Sequence, residues 1–261
     1  MKRSYNALFL AVLMTLGSGC ASTRMLKAPV AQDESTPAVF GTASTEEVSL
    51  RIDHVVWRNG PGSWSRKAYW DEYRVSVENH TDMPLRIEGV SLVDPLGTTV
   101  AATSERRELA SQSKRNIRRY RDSGMKVKPG AAPAASIAVG TGLALGGTAV
   151  AGSVAATGFM GASGSSTVLA VGAGAALGGV TLVGVGIDRA IQNGKIQHAL
   201  DARTLNQDPV PANGEREGSV FFPVVAAPHQ LVLRYRTAEG QARELAVDLS
   251  PVLGGLHVAT Q

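Results

Sequence analysis

The chain has almost no cysteine: one, Cys20, in 261 residues. An internal disulfide framework is therefore excluded, as is a cysteine-based zinc site. Aromatic residues make up only 5% and glycine is abundant at 29 residues, so where the glycines fall bears on where a core can form. The five histidines, His54, His80, His198, His229 and His257, are scattered and show no metal-ligand spacing with one another. No GxSxG elbow occurs, and carboxylates do not cluster in any segment that reads as a pocket. Gly172, Gly174 and Gly178 approach a dinucleotide fingerprint, but the third glycine is one residue late and no strand pattern precedes it. The sequence thus offers no catalytic residue, metal ligand or cofactor site, and a non-enzymatic protein is expected.

What is present begins at the N-terminus. Lys2 and Arg3 precede an apolar run from Ala7 to Leu16, and the small residues Gly17, Ser18 and Gly19 lead directly to Cys20. That is the layout of an export signal. With the cysteine placed at its end, it resembles the bacterial lipobox, although Leu16 stands four residues before Cys20 rather than three. The resemblance implies cleavage after Gly19 and a diacylglyceryl and fatty-acyl modification of Cys20. Each buried methylene contributes about 0.8 kcal/mol, so several chains hold a protein on a membrane. Ala21, rather than Asp, follows the cysteine, which by the same resemblance implies outer-membrane sorting. Loss of the leader removes two basic residues and no acidic one, bringing the net charge from +4 to about +2. Export and near-balance leave no expectation of nucleic acid as a partner.

Residues 20–46 carry Pro, Ser, Thr and Ala without apolar periodicity and read as a flexible tether. From residue 47 the pattern turns to strands. Val48, Leu50 and Ile52 alternate with polar residues, as do Tyr73, Val75 and Val77. Leu85, Ile87, Val90 and Leu92 suggest a third strand, and Thr98 to Ala101 a short fourth. The same grammar returns over Gly218–Val225, Gln230–Arg236 and Ala242–Leu249. Neither half has enough strands to hide two sheet faces, so residues 47–103 and 201–261 are expected to form one immunoglobulin-like sandwich of about seven strands. Two separate small β domains are the alternative. The fold class expected is α+β, mainly β, interrupted by a helical insertion.

The insertion is the most unusual part of the chain. No charged side chain stands between Lys128 and Asp188, more than twice the roughly 20 residues that cross a bilayer. The turn-rich run Gly158–Ser166 divides it into Ala134–Thr157 and Thr167–Ile187, helices of roughly 36 and 32 Å at 1.5 Å per residue. Residues 129–200 are therefore expected to form a helical hairpin followed by an exit helix. Small residues recur at four-residue spacing, among them Gly140, Gly142, Gly146, Gly152, Gly174 and Gly178, a spacing that lets helix backbones approach in lipid. Val139, Leu143, Val150 and Val154 fall on an opposite, bulkier face. This resembles the glycine-zipper hairpin of several outer-membrane lipoprotein families, which implies membrane insertion or self-association. A flexible linker and a soluble hairpin lying on the sandwich are the other readings.

Residues 104–128, expected as a basic segment that is either a helix or a solvated loop, include Arg115, Arg118, Arg119, Lys126 and Lys128, candidates for contact with anionic headgroups. Leu109, Ile117 and Tyr120 would be their apolar companions at a membrane interface. In the aromatic cluster, Trp57 and Tyr73 read as core, whereas Trp64 and Trp70 beside the Gly-Pro-Gly turn are candidates for a partner-binding tip. Two functions follow. One is a lipid-anchored outer-membrane protein whose hairpin inserts or self-associates, as a homo-oligomer or with an envelope protein, in a scaffold, pore or secretion assembly. The other is a periplasmic or surface binding module in which the sandwich docks a protein or glycan and the hairpin is a spacer.

Overall fold

The structure, a computed structural model, describes residues 23–31, 39–133 and 180–259, with no side-chain detail for 180–187. The leader, Cys20 and the glycine-rich stretch from 134 to 179, with every glycine named above, lie outside the described residues.

The chain is rich in sheet, with a few helices, an α+β fold. Its elements are β1 (Arg24–Met25), β2 (Gly41–Ser44), β3 (Val48–Val56), β4 (Ser65–Arg66), β5 (Trp70–Asn79), β6 (Arg86–Val93) and β7 (Thr99–Ala101). After these come α1 (Arg106–Asp122), α2 (Val180–Arg203), β8 (Glu215–Pro223), β9 (Gln230–Arg236), β10 (Ala242–Asp248) and α3 (Ser250–Leu253). Two antiparallel four-stranded sheets result, one in the order β2-β3-β5-β8 and the other β10-β9-β6-β7. The alternation read from the sequence places strands with boundaries close to those expected.

Each sheet draws strands from both sides of the glycine-rich stretch. β5 pairs with β8 from Trp70↔Pro223 to Glu78↔Glu215, and β6 pairs with β9 from Arg86↔Arg236 to Val93↔Gln230. Period-2 alternation turns Val48, Leu50, Ile52, Val75 and Val77 of the first sheet toward the same apolar cluster as Val90, Leu92, Leu231 and Leu233 of the second. That shared cluster excludes two separate β domains. The sheets hold eight strands rather than about seven, because β2 joins β3 with Gly41↔Ile52 in register.

Within residues 20–46, expected as a tether, the described residues include two strands. β1 pairs with β4, and β2 is an edge strand of the first sheet. Both are short and polar, four residues or fewer, so they carry too few apolar positions for periodicity to reveal.

A second apolar cluster lies on the outer face of the first sheet, where Trp70 and Phe221 meet Trp64, Leu109 of α1 and Ile196 and Leu200 of α2. Phe221 and Phe222 are consecutive on β8 and so point to opposite sides, Phe222 into the main core and Phe221 under the helices.

Gly218 of β8 is where the chain after α2 crosses the sheet: a Cβ there would stand 2.5 Å from Leu205 Cα, whereas one at Gly89 of β6 would meet nothing within 4 Å. Gly218→Ala is expected to destabilise the protein by about 1–3 kcal/mol. Gly89→Ala should leave the urea midpoint nearly unchanged, and urea titration of the two variants checks the contrast.

Candidate functional site

The described residues bring together the places where the glycine-rich stretch leaves and rejoins the folded body, and each is fastened by a buried carboxylate on β5. Asp71 and Glu72 are consecutive, hence on opposite faces of the strand, and are 1% and 2% exposed.

Glu72 lies on the outer face, beneath α2. Its Oε2 accepts from Trp64 Nε1–H at 2.6 Å and its Oε1 from the Ser219 hydroxyl at 2.6 Å. Arg203, in the last turn of α2, brings Nη1 to 3.7 Å from the same Oε1 and places its guanidinium 5.2 Å from the Trp64 ring centre. Trp64 and Trp70 rings are 5.8 Å apart. A buried carboxylate requires such donors, because an unpaired one is strongly disfavoured. The C-terminal part of α2 is fixed by this cluster and by Ile196 and Leu200, both fully buried. Gln197 adds a link to α1: its Oε1 accepts from Arg106 N–H at 3.0 Å and its Nε2 donates to Ser104 carbonyl at 3.1 Å.

Asp71 fastens the other side. Lys126 to Ala131 run beside the chain's C-terminal residues, with Val127 bridged to Val258. Lys128 N–H donates to His257 carbonyl and His257 N–H to Ala131 carbonyl. The buried His257 ring accepts from Gly130 N–H at Nδ1, 2.9 Å. Its proton is therefore on Nε2, which donates to Asp71 Oδ2 at 2.7 Å. Both ring nitrogens are thus engaged, so this histidine–aspartate pair positions backbone and offers no nitrogen for proton transfer to a substrate. Gly130 has φ +91° and a Cβ there would lie 2.8 Å from Arg58 carbonyl, which is why only glycine fits the crossing. Nearby, burial pushes the Tyr73 phenol well above its ordinary range, and the Asp71 charge adds to that shift.

α1 lies beside these attachments. Its buried stripe is Leu109, Ser113, Asn116 and Tyr120. Ser113 Oγ accepts from Val224 N–H and lies against the carbonyls of Tyr69 and Leu109, while Asn116 donates to Val224 carbonyl. Asp94 accepts from Tyr120 Oη at 3.0 Å and from Arg119, and burial raises the Tyr120 phenol pKa.

Several expectations are corrected here. Trp64 and Trp70 are 5% and 3% exposed; they pack under α2 and cannot form a partner-binding tip, because the Gly-Pro-Gly turn folds back rather than projecting. Leu109 and Tyr120 are fully buried and unavailable to a membrane interface. Arg119 is drawn inward to Asp94, leaving Arg115, Arg118, Lys126 and Lys128 as exposed cations. His257 and Asp71 were missed, since nothing in their spacing, far apart in sequence, signals a pair. Among the described residues no helix is long and apolar enough to cross a membrane, and no group of three or more His, Cys, Asp or Glu could hold a metal.

No family model matches the sequence, and no curated protein matches it. Among solved structures, the chain aligns with a Bacillus subtilis protein, ycdA, described provisionally as a lipoprotein, at 10% identity and a TM-score of 0.30. The alignment covers 79% of this chain and 38% of that one, so the chain spans less than two fifths of that protein's length.

Glu72→Ala is expected to strip partners from Trp64, Ser219 and Arg203, costing about 1–3 kcal/mol for each buried donor left unpaired. Amide exchange over residues 192–203 should accelerate more than exchange in β6 and β9; equal acceleration in both would show that Glu72 does not fasten α2 in particular.

Proposed function

We propose that this chain is a non-enzymatic bacterial lipoprotein, acylated at Cys20 and held at the outer membrane, whose folded domain is an immunoglobulin-like sandwich. The glycine-rich stretch forms a helical hairpin that inserts into the membrane or self-associates, in an envelope scaffold, pore or secretion-related assembly. The observation that carries this reading is an export leader ending on the chain's one cysteine. Acylation gives that otherwise unpaired residue a role that a disulfide cannot.

The fastening of α2 supports the second part. A stretch without a single charge between Lys128 and Asp188 is bounded on one side by the His257–Asp71 clasp and on the other by a helix bound to Glu72. Movement or assembly of the hairpin would therefore bear directly on the sandwich. A binding module with a passive spacer has less need of such attachments.

Palmitate labelling and fractionation test the anchor. The wild-type protein should take up labelled palmitate and sediment with outer membranes, and Cys20→Ser should lose the label. Persistent labelling of the serine variant would exclude Cys20 as the acylation site. If Cys20→Ser still requires detergent for extraction, the glycine-rich stretch is itself a membrane element; free solubility would favour the spacer reading.

Self-association is tested separately. Replacing Gly142, Gly146, Gly174 and Gly178 by Leu should disrupt close helix contacts and shift the protein to smaller species on native gels. Unchanged oligomer size would remove the zipper from the proposal.

A further inference from the structure

β1 and α2 lie against each other and, traced toward lower residue numbers, run to the same point. Leu26 N–H donates to Trp64 carbonyl, Arg24 stands in register with Arg66, and the Thr23 hydroxyl donates to Lys67 carbonyl at 3.1 Å. Along α2, Arg203 lies over Trp64, while Asp188 lies 3.6 Å from Arg24. The helix and the strand therefore leave Trp64 in the same direction. Beyond Arg24 the chain leads to Cys20, and beyond Asp188 it leads back to the glycine-rich stretch. Three residues carry the chain from Thr23 to Cys20, a reach of about 11 Å at most.

The surface at this point is mixed in a particular way. Met25, Val30 and Ile191 are 39%, 39% and 51% exposed, and Ile191 stands one helical turn from Asp188, on the same side of α2. On or next to the same elements Lys27, Arg66, Arg189 and Lys195 are exposed. Among the described residues here the acidic groups are engaged: Asp188 by Arg24, and Glu72, buried behind, by Trp64 and Ser219. Exposed apolar side chains and exposed cations on the same elements match an anionic lipid interface, where methyl groups enter the headgroup region and ammonium and guanidinium groups meet phosphate. The opposite end of the sheet lies about 30 Å away along β5, at 3.3 Å per residue, where the turn after Asn79 carries Asp82 and the exposed Met83.

We propose that the end formed by β1, the β4 turn and the middle of α2 is the face that docks on an anionic phospholipid bilayer, with the two sheets standing away from it. This rests on acylation of Cys20, since the lipid must enter the membrane within a few residues of Thr23. The geometry then assigns Lys27, Arg66, Arg189 and Lys195 to the headgroups and Met25, Val30 and Ile191 to the interface.

The test uses the full acylated chain in vesicles of phosphatidylethanolamine and phosphatidylglycerol. Acylation blocks the Cys20 thiol, so Lys27→Cys, Arg66→Cys and Asp82→Cys each provide a single site for an environment-sensitive fluorophore. Labels at 27 and 66 should brighten, shift to the blue and be quenched by brominated lipid, whereas a label at 82 should stay as in water. Arg189→Glu combined with Lys195→Glu should reduce the response at 27. A response at 82 equal to that at 27, or no response at any position while the protein stays with the vesicles, would overturn the docking face and leave the anchor standing. A chain that carries a free Cys20 thiol and stays in the supernatant would overturn the anchor, and the docking face with it.

Discussion

The pairing of β5 with β8 and of β6 with β9 is the constraint on which the rest of the molecule depends. Each ladder joins a strand from before the glycine-rich stretch to one from after it, so the core cannot close until both ends of that stretch have returned to the sheets. Chain length is a small obstacle to this. Loop-closure entropy grows only logarithmically, by about 0.6 kcal/mol per doubling, and a long insertion is tolerated if its ends are well seated. Here they are, by the Lys128–His257 ladder on one side and the buried face of α2 on the other.

Three buried carboxylates do the seating, and each binds a different peripheral element. Asp71 holds the C-terminal residues through His257, Glu72 holds α2 through Trp64 and Arg203, and Asp94 holds α1 through Arg119 and Tyr120. Buried ion pairs contribute little net stability, because desolvation offsets the attraction. Their effect is on position. A misplaced helix would leave a carboxylate dry and unpaired, a cost of several kcal/mol that an apolar contact of similar size would not impose. Asp71 and Glu72 achieve this from adjacent residues because a strand turns alternate side chains to opposite faces.

Where one side of an element met the core and the other met solvent, the sequence was legible. β3 and β9 show this alternation, and Val48, Leu50, Leu231 and Leu233 mark their inward faces, whereas β5 buries Trp70 and Glu72 on its outer face as well as Val75 and Val77 on its inner one. Elements without an apolar stripe were not legible. α1 buries Ser113 and Asn116 beside Leu109 and Tyr120, so its inward face reads as polar until the partners at Val224 are known. β1 has two residues. Trp64 and Trp70 looked free because their neighbours suggest a surface turn, and the helix that covers them comes from more than a hundred residues later. The His257–Asp71 pair is non-local in the same way. For the candidate site, therefore, composition singled out the uncharged stretch, while the attachments on either side of it are visible only in tertiary contacts.

Those attachments bear on how the two parts of the chain cooperate. α2 covers 24 residues, Val180–Arg203, about 36 Å at 1.5 Å per residue, and contacts with the sheet and with Arg24 hold it from Asp188 onward. A helix held at its base transmits direction to the residues before it, whereas a Gly/Ser-type linker would lose orientation within a few residues. If the uncharged stretch enters a membrane, the sandwich is then set at a fixed attitude to the bilayer rather than swinging on a tether. Were Cys20 acylated, the lipid alone would restrain rotation weakly, because the nearest paired element is a two-residue strand. A second attachment leaving from the same end would hold that attitude, and the desolvated Glu72 cluster is the base that would keep it stiff.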